Sequence, residues 1–374
     1  MSTQADTKPK NSRMTHLDAV RGLAVMGILV MNSVSFGLSN EAYFDVSARG
    51  TNTTLDWVLG ILGEIFADQK FMGLFSLLFG ASILLFLERA QAKGRAPVQL
   101  SLWRNALLLV VGICHVVVWT GDVLTVYALC APVLLLMRNR SSRFLIIGGV
   151  MVFLLALVQE VLLSLITTDE VLRMVWREEL ISPEAELLAV SYFTDAFVRA
   201  LGMMMVGMGL YRSGVLTRPE ITPGLLRGSV VVIGLGAAVS AAGFAWVASQ
   251  GFDGVAVRLG NLPNGLVTIP MTLSYLVLFI VWDQRATGQL VLRVRCLGQM
   301  ALTNYIGQTL IGLSLAAMAP ADWVSRSSIW LAILVVWVVQ LYGSAAWLAK
   351  YRFGPLEWVW RCATYRRWEK LVRS

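Results

Sequence analysis

Charge is scarce in this chain. Only 14% of its 374 residues are Asp, Glu, Lys or Arg, against 57% hydrophobic residues and a mean hydropathy of +0.68. That balance excludes a soluble globular domain and belongs to polytopic membrane proteins. Histidine is scarcer still, with two in the whole sequence. No H-E-x-x-H helix and no His/Cys cluster at metal-ligand spacing occurs, so no metal is expected. A G-x-x-x-x-G-K-S/T phosphate loop is also missing, which removes support for ATP-driven transport. The four cysteines, Cys114, Cys130, Cys296 and Cys362, have no paired spacing and imply no disulfide framework. A net charge of +8 could suggest nucleic acid, but the basic residues stand in short clusters between apolar runs, so no nucleic-acid partner is expected. Neither an internal repeat nor a low-complexity tract is present.

What the chain does have is a succession of apolar runs. A membrane span takes roughly 20 apolar residues, and on that rule ten are read, near 17–38, 70–88, 104–120, 122–138, 144–166, 192–211, 225–248, 265–283, 296–318 and 329–348. The expected fold is all-α, a polytopic integral membrane helical bundle of about ten transmembrane helices. Residues 1–14 form a polar tail, 15–350 a single transmembrane bundle and 351–374 a basic tail. The first apolar run ends without a small-residue cleavage site and reads as a retained helix. With the N-terminus inside, 23 of the 31 Lys and Arg residues fall in cytoplasmic segments and five in external loops. Both termini are therefore expected to be cytoplasmic.

Two segments depart from simple spans. TLDWVLGILGEIFADQKFMGLFSLLFGASILLFLERA (54–89) is too long for one crossing and is interrupted by Glu64, Asp68 and Lys70. Since one net crossing is required, 54–68 is expected to be an interfacial or half-buried helix on the outer side. The external loop 167–191 is acidic; solvation of its carboxylates is expected ahead of a role covering the bundle. In the second half, Gly- and Ala-rich stretches such as GLGAAVSAAG (234–243) should permit close helix packing.

Polar residues inside apolar runs are expensive and normally face a bundle interior or wet cavity. In VGICHVVVWTGDVLTVYAL (111–129), His115 lies near the outer end of the third span and Asp122 opens the fourth. A carboxylate on one imidazole nitrogen fixes the tautomer and leaves the other to remove a proton from a hydroxyl or amine. A structural histidine, with Asp122 capping the next helix, is the equal alternative. Asn32 lies one to two turns below the outer end of the first span. Asp68 and Lys70 enter the second from the same side, and Asp195 and Arg199, at the spacing of a helical ion pair, open the sixth. These residues gather in the outer half of the membrane, as a cavity opening outward would require. At the cytoplasmic start of the first span, Asp18 and Arg21 could bind the phosphates of a cytosolic cofactor, with capping and snorkelling as the plainer reading. In the ninth, GQMALTNYIGQTL places Asn304, Tyr305, Gln308 and Thr309 in a polar band that could serve a substrate or interhelical hydrogen bonds.

LDAVRGLAVMGILVMNSVSF (17–36), DQKFMGLFSLLFGASI (68–83), GICHVVVWTGDVLTVYAL (112–129), GQMALTNYIGQTL (298–310) and FGPLEWVWR (353–361) resemble the YeiB-like bacterial membrane protein family along nearly the whole chain. That family resembles, more remotely, the transmembrane acyltransferases that O-acetylate sugars or N-acetylate heparan glucosaminide. The resemblance implies an inner-membrane acyltransferase that carries an acyl group, acetyl first, from cytosolic acyl-CoA to a hydroxyl or amine of an extracytoplasmic glycan, lipid or small molecule. The superfamily's Arg and, eleven positions on, Asn match Arg21 and Asn32. The heparan-type histidine a further eleven on is here Tyr43, so the base must come from elsewhere, and His115 is the intramembrane candidate. On this reading His115, Asp122 and Asn32 are catalytic, with Asn32 donating to the developing oxyanion, and Arg21 and Asp18 hold acyl-CoA. Asp68, Lys70, Tyr127, Asp195, Arg199, Asn304, Tyr305 and Gln308 contact substrate. The rival expectation is a proton-coupled transporter or flippase for a small metabolite or lipid-linked intermediate. Association of copies is compatible with either.

Overall fold

The first helix, α1 (Thr15–Gly37), has no proline and 23 residues, about 34 Å at 1.5 Å per residue, enough to cross a hydrocarbon core of about 30 Å. Its side chains are buried nearly all round, because α1 is the central post on which other helices lean. The computed structural model describes residues 14–179, 182–320 and 323–373; most of the polar tail 1–14 lies outside them. Beyond α1 come α2 (Asn40–Phe44), α3 (Thr54–Phe66), α4 (Lys70–Gln91), α5 (Pro97–Val118), α6 (Leu124–Met137), α7 (Ser142–Ser164) and α8 (Asp169–Trp176). They are followed by α9 (Pro183–Arg212), α10 (Pro223–Ser249), α11 (Gly254–Gly260), α12 (Leu262–Arg285), α13 (Gln289–Gln299), α14 (Ala301–Met318), α15 (Arg326–Lys350) and α16 (Pro355–Tyr365). Proline in the first turn starts α5, α9, α10, α12 and α16, where its missing N–H has no helical partner to lose.

Among the described residues, eight helical stretches are long and apolar enough to cross a membrane, with α3–α4 and α11–α12 each counted as one. Of the ten expected spans, the other two are α6, with 14 residues, and α14, whose 18 residues carry the polar band. Large apolar side chains project outward, among them Val117 on α5, Leu136 on α6 and Leu331 on α15, as lipid-facing surfaces do. The protein is thus an all-α membrane bundle.

The long stretch 54–89 is a broken helix. Thr53 and Asp56 form a capping box at the start of α3. Leu55, Val58, Leu62 and Phe66 make an exposed stripe on its outer side, while Gly63 turns to Val30 and Met31 of α1. The helix stops at Ala67, Gln69 takes a left-handed φ of 60°, and α4 begins with Phe71 filling the space beside Gly27, halfway along α1. Over the stretch 54–68 the structure has α3, and the break after it lies inside the bundle. Non-helical backbone at that depth survives only when surrounded by protein.

α4 and α9 pack closely through glycines. A Cβ on Gly80 would lie 2.0 Å from the Met204 carbonyl oxygen, and one on Gly207 would lie 1.9 Å from that of Leu77. In GLGAAVSAAG only part of the expectation is met: Gly236 and Gly243 pack on α11 and α12, whereas Gly234 faces open space. The acidic loop after α7 folds as α8, whose Leu172 and Trp176 are buried against α9, α10 and α11. It covers the face opposite the chain ends. The basic segment after Lys350 carries α16, which packs on α5 and α14 at the terminal face.

Candidate functional site

The end of α5 is arranged around His115. Trp119 leaves the helix in an extended conformation with its N–H on the His115 carbonyl. The chain then turns through Gly121 and Asp122 into α6, where Asp122 Oδ2 accepts the Thr125 N–H at 2.8 Å. Gly112, one turn before His115, lets α6 approach: a Cβ there would lie 2.6 Å from the Thr125 nitrogen. His115 Nδ1 stands 2.8 Å from Asp122 Oδ1, and its Nε2 stands 3.0 Å from Thr309 Oγ1 on α14. All three side chains are buried. With Asp122 as a carboxylate and the imidazole neutral, Nδ1 is the donor and Nε2 offers its lone pair to the Thr309 hydroxyl.

Aromatic rings close this group on two sides. Toward the far face, the Trp119 ring centroid lies 5.9 Å from His115; Phe36 meets Trp119 edge-on at 5.0 Å, and the indole N–H donates to Ser35 Oγ. Toward the terminal face, the Tyr305 ring lies 5.4 Å from His115. The Tyr305 hydroxyl oxygen accepts the Val123 N–H at 3.3 Å, which leaves its own O–H free to donate.

Beneath Tyr305 a cleft of about 260 Å³ runs between α1, α4, α5, α6, α13, α14 and α16. Along α4 its wall extends from Phe75 to Phe86, eleven residues or about 16 Å. Val123, Tyr127 and Tyr305 line its deep end, Ile28, Phe79, Ile83 and Leu108 its middle, and Arg21, Arg104, Gln299 and Trp360 its mouth. The Arg104 guanidinium is held 4.1 Å over the Trp360 ring and 4.8 Å from that of Phe86, a cation–π arrangement that leaves its N–H groups free to bind an anion. Arg21 donates to Asp18 at 3.1 Å, so Asp18 steers the arginine and Arg21 itself lines the cleft. Glu357 on α16 accepts the N–H groups of Leu302 and Thr303. It thereby caps α14 where the chain breaks from α13, and burial raises its pKa above the ordinary carboxylate value.

The remaining candidates lie elsewhere. Asn32 stands on the face of α1 that carries Ile28 and Phe36, and its carboxamide makes no hydrogen bond with His115 or Asp122. Asn304 donates to Leu297 O and Ser344 Oγ, and Gln308 to Gln340 and Val25 O, both fastening α14 to its neighbours. Asp68, Lys70, Asp195 and Arg199 form a separate buried cluster: Lys70 Nζ donates to Asn264 Oδ1, Asn264 Nδ2 to Asp68 at 3.2 Å, and Arg199 to Asp195 at 2.8 Å and Glu160 at 2.6 Å. Of the sequence candidates, the structure thus brings together His115, Asp122 and Tyr305, with Tyr127 and Arg21 in the adjoining cleft. Arg104, Trp360 and the pairing of Thr309 with His115 were not legible in advance. Among the described residues, no group of three or more His, Cys, Asp or Glu could hold a metal ion.

The family described as Protein of unknown function (DUF418) matches residues 210–367. "Uncharacterized protein YeiB" of Escherichia coli (strain K12) is 31% identical over 387 aligned positions, covering 95% of this chain and 97% of that protein. "Uncharacterized protein YxaH" of Bacillus subtilis (strain 168) is 28% identical, with 97% of each chain covered. No solved structure matches this chain. With 31% identity sustained along nearly all of both sequences, the protein belongs to the YeiB-like DUF418 family.

Proposed function

We propose that the protein is a bacterial inner-membrane acyltransferase. It takes an acyl group, acetyl in the first instance, from cytosolic acyl-CoA and transfers it to a hydroxyl or amine of an envelope or lipid-linked acceptor on the opposite side. The observation that carries this reading is the cleft: it has two arginines at its mouth and an apolar middle, and it ends on Tyr305, which lies against a histidine oriented by a carboxylate. Phosphates of the donor would sit on Arg21 and Arg104, with the adenine beside Trp360. The acyl arm would run the length of the cleft and bring its thioester to Tyr127 and Tyr305. The terminal face is cytoplasmic on the distribution of Lys and Arg, as this direction of entry requires. His115, oriented by Asp122, serves as the base, and the Tyr305 O–H as an oxyanion donor. Asn32 is positioned along the same face of α1 as the cleft wall and has the weaker claim to that second role.

A second reading, a proton-coupled transporter or flippase, draws on the broken α3–α4 helix with its buried charges. Transfer of label from radiolabelled acetyl-CoA to envelope lipids and glycans in sealed, oriented vesicles separates the two. Label with wild type and none with a folded His115→Asn variant is the expected result. If neither acetyl-CoA nor a longer acyl-CoA is consumed, the acyltransferase reading falls and the transporter moves ahead.

A further inference from the structure

We propose that Thr309 is the nucleophile of this site and carries the acyl group as an ester between two half-reactions. The inference rests on the acyltransferase reading above. Asp122, His115 and Thr309 form a relay through the two imidazole nitrogens, 2.8 Å from carboxylate to Nδ1 and 3.0 Å from Nε2 to hydroxyl. That is the disposition by which an imidazole takes the proton of an attacking hydroxyl while a carboxylate holds the ring. Thr309 is 1% exposed, and His115 is the hydrogen-bond partner of its hydroxyl. On α14, Leu302 and Tyr305 line the cleft, and Thr309 follows Tyr305 at i+4 on the same face, about 6 Å along the axis. A thioester at the end of the cleft is therefore one side chain away from Oγ1, with Tyr305 between them.

Access explains why a covalent carrier is needed. Nε2 is already occupied by Thr309, and Trp119 and Phe36 cover the histidine toward the far face. Donor and acceptor come from opposite faces, and an acyl group parked on Thr309 spares them from meeting. In the first half-reaction, Oγ1 attacks the thioester carbonyl as its proton passes to His115 Nε2. An O–C bond forms, the C–S bond breaks, and the imidazolium returns the proton to the departing thiolate. In the second, His115 takes the proton of the acceptor hydroxyl or amine. The acceptor's bond to the acyl carbon forms, the Oγ1–C bond breaks, and Thr309 recovers its proton. Tyr305 must turn aside for the first step, and Trp119 between the two.

The test uses the full-length protein in nanodiscs with radiolabelled acetyl-CoA or octanoyl-CoA and no acceptor, followed by peptide mass spectrometry. In parallel, sealed vesicles containing native envelope material report complete transfer. The expected result is acyl ester on Thr309 in the wild type and in Thr309→Ser. It should be absent from the near-isosteric Thr309→Val, and fall roughly 100-fold or more in His115→Asn. Complete transfer should follow the same order, with parallel double-reciprocal plots for donor and acceptor. Transfer that persists in Thr309→Val, or acyl label on His115 instead, overturns the inference while leaving the acyltransferase reading intact. Donor that is consumed in neither assay overturns both. Thr309→Ser guards against misfolding, since a merely structural hydroxyl would not restore the ester.

Discussion

Two buried polar regions lie in the far half of this bundle, and they are built on different terms. At the break between α3 and α4, charge is dense and turned on itself. Lys70 is wholly buried, Arg199 bridges Asp195 and Glu160, and Asn264 ties Lys70, Asp68 and Ser240 together. The same network serves the interrupted backbone: the Tyr275 hydroxyl donates to Phe66 O at 2.9 Å and the Thr272 hydroxyl to Lys70 O at 3.1 Å. The cavity beside it is about 40 Å³, room for a few waters. The histidine group has fewer polar atoms, yet it stands directly behind Tyr305, which ends a cleft of about 260 Å³ with a cationic mouth. Polar density in a membrane interior is thus a poor guide to chemistry. What separates the two regions is whether the polar atoms are consumed by the fold or meet a space that a substrate can fill.

Substitution should separate them by stability and activity. Lys70→Met strips the cation from a buried network and should cost about 3–5 kcal/mol, seen as a large drop in the thermal unfolding midpoint of the detergent-solubilised protein. His115→Asn leaves Thr309 and Asp122 short of one partner each and should cost about 1–3 kcal/mol, while acyl transfer falls by roughly 100-fold or more. A Lys70→Met protein that is as stable as wild type but inactive would reverse the comparison and put function at the helix break.

How far these differences were readable from residues alone depended on sequence distance. His115 and Asp122 are seven residues apart across a Gly-Asp turn, so local geometry sufficed to pair them. Thr309 lies 194 residues from His115, and nothing local connects the two. In the ninth span a band of Asn304, Tyr305, Gln308 and Thr309 was visible, but only packing decides that Asn304 and Gln308 turn toward α15 and α1 while Tyr305 and Thr309 turn toward α5. The broken helix was legible because 54–89 exceeds one span and carries Glu64, Asp68 and Lys70. Arg104 read as ordinary loop charge. Its place at the cleft depends on Trp360, whose indole N–H donates to Arg104 O from 256 residues away.

Arg104 gives the next smaller effect and sharpens the comparison from the side of the cleft. Its guanidinium is held by two aromatic rings and makes no ion pair among the described residues, unlike Arg199 with its two carboxylates. Arg104→Ala should therefore cost little stability. It should raise KM for acyl-CoA about tenfold, equivalent to about 1.4 kcal/mol, with kcat unchanged, because a phosphate contact is made equally in ground and transition states. Arg199→Ala should do the opposite, lowering stability and leaving KM alone. An unchanged KM for the Arg104 variant would detach the cleft mouth from donor binding.

The smallest effect is expected where charge pairs outside the membrane. Glu41 on α2 accepts from Arg177 at 3.0 and 3.1 Å and from Arg173 at 3.2 Å, which clamps α8 over the far face. Hydrogen bonds from Arg177, outweighing burial and aided by Arg173, hold the Glu41 carboxyl below its ordinary 4.5. A depressed carboxylate means that the unfolded chain binds the proton more readily than the folded one. The clamp's stabilisation is therefore fully present above about pH 4.5 and is lost as pH falls through the lowered folded value. With Arg177 half exposed, the clamp's contribution is small and is screened by salt. Glu41→Gln should lower the unfolding midpoint slightly at pH 7 in low salt. Its difference from wild type should shrink both in high salt and toward about pH 3. The buried network at the helix break, shielded from ions, should show no such salt dependence. A Glu41→Gln difference that is constant across pH and salt would mean that shape, not charge, holds α8 on α2.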